Sequence, residues 1–459
     1  SKNPPISDDD VSSGDDVSSD EEMSHSNSEP NRSQCREQPA PGPVLFLHPD
    51  LGIGGAERAM VDMALALKDR GYPVSFITAH HDKSHCFEET RNGQLDVFVS
   101  ASWLPRSLMG RCIALCACLR MLWAALYVLI GWRGANFPRA VIVDQVSAPV
   151  PLLRWFSRRT LFYCHYPDLL LSTQRSGRLK RLYRRPLDAL EAWTTGRADK
   201  LMVNSRFTAS VVRSTFPALA SRKLHIVYPV PNFASLDIAA ADPSGDEELQ
   251  ACLPEPSTRR SLFLSLNRYE RKKNVGLALQ AFARLLNDQG RGSAVSAHLV
   301  IAGGYDSRLL ENVEHFEELR QLAEELQVSN RVTFLRSCSS PAKAALLKIA
   351  TALIYTPSGE HFGIVPVEAQ YLGCPVVAVN NGGPLETVLH GATGFLCEPG
   401  ESEFAAAMGR LVNEEGLRTA MGRAGRRHVT DKFSNAAFAD AVVRVLERDS
   451  EASAAASSD

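Results

Sequence analysis

The chain has 459 residues, a hydrophobic content of 44% and a formal net charge of −2. This length allows two or three domains, and the apolar content is sufficient for a large globular core. The near-neutral charge argues against a protein that binds nucleic acid. The segment 1–42 differs from the rest because it is acidic, rich in serine and almost free of large apolar side chains, so we expect a disordered leader there.

Short apolar strands alternate with helical segments from residue 44 onward, which predicts doubly wound α/β architecture. A polar stretch at 234–258 interrupts the alternation, which then restarts. We therefore predict two Rossmann-like domains, 43–233 and 259–430, joined by a linker at 234–258 and followed by a C-terminal helix and disordered tail at 431–459. Ligands bind outside the carboxyl ends of the strands in such sheets, so the two domains should face a common cleft.

The motif GIGGAER follows the first predicted strand and opens a helix. Gly54 and Gly55 allow close approach of a ligand to the backbone, and the N–H groups of a helix N-terminus favour an anion. A dinucleotide fingerprint would need glycine where Glu57 stands, so that reading fails. A plain strand–helix turn explains the motif about as well.

Two segments of the first half suggest a membrane surface. Residues 113–130 are apolar except for Arg120 and would form a helix of ~27 Å, close to the thickness of a hydrocarbon core. The segment 175–185, RSGRLKRLYRR, is basic and free of acids, which favours anionic headgroups. A helix in the protein core is the alternative for 113–130, and the sequence leaves open whether this segment spans the membrane or lies in its interface.

The motif NRYERKKN follows the first predicted strand of the second half. Arg268 and Lys273 should emerge at the carboxyl end of that strand, where a ligand would lie. A guanidinium fork and an ammonium suit a diphosphate, whereas a solvated basic turn is the simpler explanation.

The segment PSGEHFGIVPVEAQ places Glu360 in a loop and Glu368 within the following helix. The N–H groups of Gly363 and Ile364 would lie at the helix N-terminus and could face an anion. Glu368 could accept hydrogen bonds from a ribose diol, and Glu360 could reach a sugar. This arrangement fits a nucleotide-sugar with its phosphates in the middle.

These motifs carry a family resemblance. The Glu-x7-Glu spacing resembles the signature of retaining GT-B glycosyltransferases of family 4. Five motifs in order are closer still to the α-1,3/1,6-mannosyltransferases that extend dolichol-linked oligosaccharide: HPDLGIGGAER, YCHYPDLLL, NRYERKK, GEHFGIVPVEA and NNGGPLE. The resemblance covers roughly residues 43 to 400 and implies a GT-B fold.

The resemblance also implies roles for individual residues. The catalytic set would be Glu360, His165, Lys273 and Arg268. The donor-binding set would be Gly54, Gly55, Arg268, Lys273, Gly363, Ile364, Glu368, Gly382, Gly383 and Glu386. His361 is a further candidate, although a surface histidine is an equally good interpretation.

The implied reaction is transfer of mannose from GDP-mannose to Man1GlcNAc2- and Man2GlcNAc2-diphosphodolichol, with retention of configuration. No essential metal is expected, because no DxD pair or His/Cys cluster stands at a matching position. Implied partners are GDP-mannose, dolichyl-diphosphate oligosaccharide, membrane lipids and a complex with neighbouring mannosyltransferases, and no nucleic acid. Three alternatives remain: a family 4 transferase with another donor or lipid-linked acceptor, a GT-B epimerase, and a catalytically silent membrane scaffold.

The implied location is the endoplasmic reticulum membrane, with the catalytic domains on its cytosolic face. The cysteines agree with a reducing compartment, because the ten of them are irregularly spaced and form no CxxC pair.

Overall fold

The structure is a computed structural model that describes residues 41–108, 111–131, 137–171, 178–255, 261–288 and 296–447. Most of the predicted leader, the end of the predicted tail and residues 175–177 of the basic segment lie outside the described residues. Both sheets described below belong to one compact unit.

The first half forms a parallel sheet of seven strands in the order β3-β2-β1-β4-β5-β6-β7. Its strands are β1 (Val44–His48), β2 (Val74–Thr78), β3 (Asp96–Val99), β4 (Ala140–Asp144), β5 (Thr160–Cys164), β6 (Lys200–Val203) and β7 (Leu224–Ile226). The strands β1, β4 and β5 are buried along their whole length, as expected of a parallel sheet covered on both faces.

Helices cover the two faces of this sheet. They are α1 (Gly55–Asp69), α2 (Ile113–Gly131), α3 (Val150–Leu153), α4 (Asp168–Leu171), α5 (Arg178–Thr195) and α6 (Arg206–Thr215). Successive side chains of β1 point to opposite faces, so that Phe46 packs with α1 while Leu45 and Leu47 pack with α2. The apolar helix predicted for residues 113–130 is therefore one of the helices that cover a face of the first sheet.

The second half forms a parallel sheet of six strands in the order β10-β9-β8-β11-β12-β13. Its strands are β8 (Ser261–Leu266), β9 (Ala297–Gly303), β10 (Val332–Arg336), β11 (Ala352–Tyr355), β12 (Val376–Val379) and β13 (Gly394–Cys397). The helices that follow the first sheet in the chain are α7 (Phe233–Ala241), α8 (Ser244–Cys252), α9 (Gly276–Asp288), α10 (Leu310–Glu325), α11 (Ser340–Ile349), α12 (Ile364–Tyr371), α13 (Pro384–Thr387), α14 (Glu401–Asn413), α15 (Glu415–Lys432) and α16 (Asn435–Glu447).

Two connections join the halves. The stretch predicted as a linker contains α7 and α8, and both helices pack on α11 of the second half. The last helix, α16, returns to the first half, where Phe438, Val442 and Leu446 enter the core beside α1. The polar composition that suggested a linker thus belongs to the exposed faces of short helices.

The strand orders locate the cleft. Chain order reverses between β1 and β4 in the first sheet and between β8 and β11 in the second. Ligands of open α/β sheets bind at such switch points, outside the carboxyl ends of the strands. Residues that follow these four strands are therefore the first candidates for a site.

Candidate active site

An ion pair stands at the switch point of the second sheet. Lys273 follows β8 and Glu360 follows β11, and Lys273 Nζ lies 2.5 Å from Glu360 Oε2. The Thr356 hydroxyl donates to the carbonyl of Lys273 at 2.9 Å, which ties the two post-strand segments together. The structure thus brings together two of the four residues predicted to be catalytic.

Burial and charge compete at Glu360. Burial raises the pKa of its carboxyl, but the ammonium of Lys273 outweighs burial and holds that pKa below its ordinary value. Tyr355, at the end of β11, is buried against the same carboxylate, and both effects raise its pKa well above the ordinary value. Glu360 is therefore an ionised acceptor, and it is 23% exposed beside a cation that is 15% exposed.

Glycines hold the Glu360 loop in place. Gly363 adopts a left-handed φ of 79° at the N-cap of α12, so that the N–H of Ile364 lies at the start of the helix. The N–H of Gly383 donates to the carbonyl of Glu360 at 2.7 Å. A side chain at Gly382 or Gly383 would overlap the backbone of residues 360–362, since a Cβ would lie 2.6 Å or 2.1 Å from a carbonyl oxygen. The motif NNGG thus supports the loop, and the donor contact predicted for Gly383 stays a prediction.

Glu368 has a partner that the sequence did not indicate. Lys343 of α11 places its Nζ 2.7 Å from both carboxylate oxygens of Glu368. Glu368 is 15% exposed, on the second turn of α12. Nothing in the α11 sequence distinguished Lys343 from an ordinary surface lysine.

Arg268 stands apart from the Lys273–Glu360 pair. Its side chain is 67% exposed, and its guanidinium donates to Glu270 at 3.0 Å. The predicted clamp of Arg268 with Lys273 is therefore not assembled by direct contact in this structure.

A His–Asp–His chain stands at the switch point of the first sheet, with His48 and Asp144 buried and His165 partly exposed. His48 ends β1, Asp144 ends β4, and His165 follows β5. Asp144 Oδ1 lies 2.7 Å from His48 Nδ1, and its Oδ2 lies 3.1 Å from His165 Nε2. His48 and Asp144 were missed, although a polar residue closing an otherwise apolar strand at the carboxyl edge could have indicated them.

His48 and Asp144 of this His–Asp–His chain form an ion pair. Burial disfavours a charged imidazole, but the carboxylates of Asp144 and Glu57 outweigh it and raise the pKa of His48 to about 10. Burial likewise opposes ionisation of Asp144, and the two histidines lower its pKa in spite of it. An ionised Asp144 accepts from His165, which leaves His165 Nδ1 available to a ligand.

The glycine motif lies beside this chain. Gly54 is the N-cap of α1 and Gly55 its first residue, while Glu57 of the first turn reaches within 3.7 Å of His48. A Cβ at Gly55 would meet nothing within 4 Å, so the space beside it is open. The carboxylate of Glu57 stands against Gly54 at this helix terminus, where it accepts a backbone hydrogen bond, so the predicted anion contact stays a prediction.

A contact between two rings across the cleft brings the two switch points close together. The ring of Tyr166 stacks on the ring of His361, with centroids 3.9 Å apart and an interplanar angle of 16°. These residues directly follow His165 and Glu360, so the two chemical groups face the same space. His361 is thus a residue of the cleft, and burial lowers its pKa.

Glu386 forms a second contact across the cleft. Its carboxylate accepts from the backbone N–H groups of Arg206 and Phe207 at 2.9 and 3.0 Å, and from the hydroxyl of Tyr228 at 2.8 Å. A carboxylate at a helix N-terminus is favourable, so Glu386 helps to join the halves. Its predicted donor contact would require exchange of these partners.

The helix α2 has an apolar surface. Of the described helices it alone is long and apolar enough to cross a membrane, with mean hydropathy 2.2 and 33% of the relevant window buried. Its buried face packs on the sheet, while several large side chains of the opposite face are exposed: Ile113, Leu119, Trp123, Leu126, Tyr127 and Ile130.

Comparison with known proteins identifies the family. Residues 53–230 match the model for Glycosyltransferase Family 4, and residues 253–428 match the model for Glycosyl transferases group 1. The chain is 48% identical over 409 residues to the α-1,3/1,6-mannosyltransferase ALG2 of Mus musculus, covering 88% of this chain and 96% of the mouse protein. The ALG2 protein of Homo sapiens is also 48% identical, with coverage of 88% and 95%. The chain belongs to the ALG2 family of α-1,3/1,6-mannosyltransferases.

Solved structures confirm the GT-B fold of this ALG2-family chain. Sucrose-phosphate synthase from Thermosynechococcus elongatus aligns with a TM-score of 0.68 at 19% identity, covering 89% of this chain and all of that one (100%). Anabaena HepE, solved with UDP and glucose, aligns with a TM-score of 0.62 at 18% identity, covering 89% and 100%. The predicted family, fold class and enzyme class, a mannosyltransferase, are therefore confirmed.

Proposed function

We propose that this mannosyltransferase transfers mannose from GDP-mannose to Man1GlcNAc2- and Man2GlcNAc2-diphosphodolichol, forming α-1,3 and α-1,6 linkages with retention of configuration. The linkages follow the names of the relatives. The observation that carries the proposal is the pairing of two switch points in one cleft: Lys273 with Glu360 on one side, and Asp144 with His165 on the other. Such a cleft offers charge to a diphosphate and hydrogen bonds to a sugar.

The donor diphosphate would lie beside Lys273 and the N-terminus of α12. An ammonium carries three N–H donors, so Lys273 can keep its bond to Glu360 and still donate to phosphate. Charge builds on the leaving diphosphate as the glycosidic bond breaks, and a preorganised cation stabilises it most at that point. The exposed Arg268 would then close on the phosphates when donor is bound.

The mannose would lie between Glu360 and His165. The Nε2–H of His165 is committed to Asp144, so its Nδ1 can accept a hydrogen bond from a sugar hydroxyl. In retaining transfer by front-face attack, the leaving phosphate takes the proton of the acceptor hydroxyl, so neither carboxylate needs to form a covalent bond to mannose. Glu368, oriented by Lys343, would accept hydrogen bonds from the ribose.

We further propose that the enzyme works at the cytosolic face of the endoplasmic reticulum membrane, with the exposed face of α2 in the interface. The apolar side chains of that face are large, and its two aromatic residues, Trp123 and Tyr127, are of the types enriched at membrane–water boundaries. Arg181 and Arg185 of α5 are exposed and would add attraction to anionic headgroups.

The proposal is tested with purified protein, GDP-mannose and phytanyl-diphosphate acceptors that carry one or two mannoses. Each acceptor is supplied separately, and the product linkage and anomeric configuration are determined by NMR. We expect one α-mannose to be added in each case, and UDP-glucose to be a poor donor. Transfer of glucose in preference to mannose, or product of inverted configuration, would refute the proposal.

A further inference from the structure

One buried cation stands in α2. Arg120 is 6% exposed, and its Nε has no hydrogen-bond partner among the residues that the structure describes. No ion pair joins Arg120 to a carboxylate within the described parts of the chain. Buried charges in proteins are normally paired, so an arginine in this state indicates a site for an anion that binds from outside.

Among the described residues, the charged neighbours of Arg120 are a second cation, Arg106, and a carboxylate, Asp50, which is already paired. Asp50, which follows β1, is near enough to act on Arg120 electrostatically, but it is held 2.7 Å from Arg106. Burial lowers the pKa of Arg120, and Arg106 adds to that effect. Two guanidinium groups and one carboxylate leave a net positive charge in a partly apolar site, which suits an anion.

Arg120 lies on the buried face of α2, beside a corner formed by Asp50 and Arg106. The carbonyl of Asp50 accepts from His48 at 3.0 Å, which connects this corner to the His–Asp–His chain. On its other side lies the exposed face of α2, where Trp103 and Trp123 pack edge to face with centroids 5.0 Å apart. Trp103 is 64% exposed and precedes Arg106 by three residues in the same loop. Asp50 and the loop of Arg106 thus connect the corner of the His–Asp–His chain with the apolar surface, beside Arg120.

We propose that Arg120, assisted by Arg106, binds the diphosphate that joins the glycan to the lipid in the acceptor. The inference rests on the proposed function and specifies which part of the acceptor is recognised. The glycan then extends into the cleft, and the lipid lies along the exposed face of α2. Guanidinium groups bind phosphate oxygens through paired N–H donors, which gives both strength and orientation.

The test compares two acceptors with the same glycan, one on phytanyl diphosphate and the other on a neutral alkyl glycoside of equal length. We expect the parent to prefer the diphosphate acceptor in kcat/KM, and Arg120→Met to lose that preference by about tenfold or more through a higher KM. The KM for GDP-mannose and the rate with the neutral acceptor should stay near the parental values. Arg213→Met, which removes an exposed arginine from α6, is the matched control.

The stability of the variant separates recognition from a structural role. Replacing a buried, unpaired charge by an apolar side chain of similar length should leave the melting temperature equal or higher. A variant that retains the parental preference for the diphosphate, or loses rate equally with both acceptors, refutes the inference. Arg106→Gln, at an exposed position, provides the same comparison should Arg120→Met fail to fold. A parent inactive with both acceptors would refute the proposed acceptor class and this inference with it.

Discussion

The substitution Lys273→Met tests the centre of the proposed mechanism. It removes the cation that lies 2.5 Å from Glu360 and keeps a side chain of similar length. Removal of one preorganised group that stabilises transition-state charge costs ~100-fold or more in rate, which corresponds to ~2.7 kcal/mol at 1.36 kcal/mol per tenfold. We therefore expect kcat to fall ~100-fold with both the one-mannose and the two-mannose acceptor.

The same substitution should also destabilise the fold, because it leaves Glu360 largely buried without its cation. Loss of a partner for such a group costs ~1–3 kcal/mol. The double variant Lys273→Met/Glu360→Gln removes the isolated charge, so its melting temperature should recover toward that of the parent while its activity stays low. The assay is thermal unfolding of the parent and the variants beside steady-state transfer. Recovery of activity in the double variant would show that the unpaired carboxylate, and not the missing cation, caused the loss.

The pH dependence of the destabilisation has a definite sign. In the parent, the pKa of Glu360 lies below its ordinary value, so the pair stabilises the fold above that ordinary value and loses this effect as pH falls through the lowered pKa. Without Lys273, burial is opposed by the weaker effects of His361 and Lys272, so the pKa of Glu360 rises from its parental value and the variant loses stability relative to the parent as pH rises. The difference in melting temperature between parent and Lys273→Met should therefore be larger at pH 7.5 than at pH 5. An equal difference at both pH values would contradict the assigned ionisation.

Three further outcomes are expected. Asp144→Asn should lower kcat about 10- to 100-fold with little change in the KM for donor. Adding His165→Ala to this variant should lower kcat little further, because the two residues act as a unit. Fully additive losses of kcat would contradict this. Transfer should survive EDTA, and loss of transfer that Mn²⁺ or Mg²⁺ restores would contradict the metal-independent mechanism. Replacing Trp123 and Tyr127 by glutamine should reduce flotation with liposomes, whereas Leu310→Gln, an exposed apolar residue of α10, should not.

The sequence predicted the fold from local patterns that the structure retains. Buried runs such as VLFLH became parallel strands, and the glycine turn before α1 became the helix start that was expected. The pairing of Lys273 with Glu360 was not predicted as a contact, although both residues were expected at the carboxyl edge of one sheet. Strand order decides whether these two residues meet, because β8 and β11 become neighbours only through the crossover of the chain. No local pattern encodes that adjacency.

The roles of other site residues could not be predicted from the sequence, for a different reason. Lys343 acquires its role from a helix that folds back on α12, and nothing distinguishes it from an exposed lysine before that packing exists. The donor contact expected of Glu386 stays a prediction, and the sequence did not indicate the three hydrogen bonds that it accepts from the first half, where the N-terminus of α6 meets α13. In the sequence, Arg120 is visible only as an interruption of an apolar helix. Its isolation became visible once the surrounding carboxylates had been assigned to other cations.

The two sheets use their switch points for different purposes, which bears on how one enzyme could form two linkages. The second sheet places a cation and a carboxylate there, whereas the first places a carboxylate between two histidines. Within the described residues, the Glu360–Glu368 spacing and its two lysine partners occur in the second half alone. We therefore infer that one donor pocket supplies both mannoses, so that the difference between α-1,3 and α-1,6 transfer arises on the acceptor side. If the acceptor is fixed by its diphosphate at Arg120, the glycan can turn about that fixed point and present a different hydroxyl to the same anomeric carbon. On this proposal, recognition of the linker, which is common to both acceptors, would allow a single site to accept a growing glycan twice.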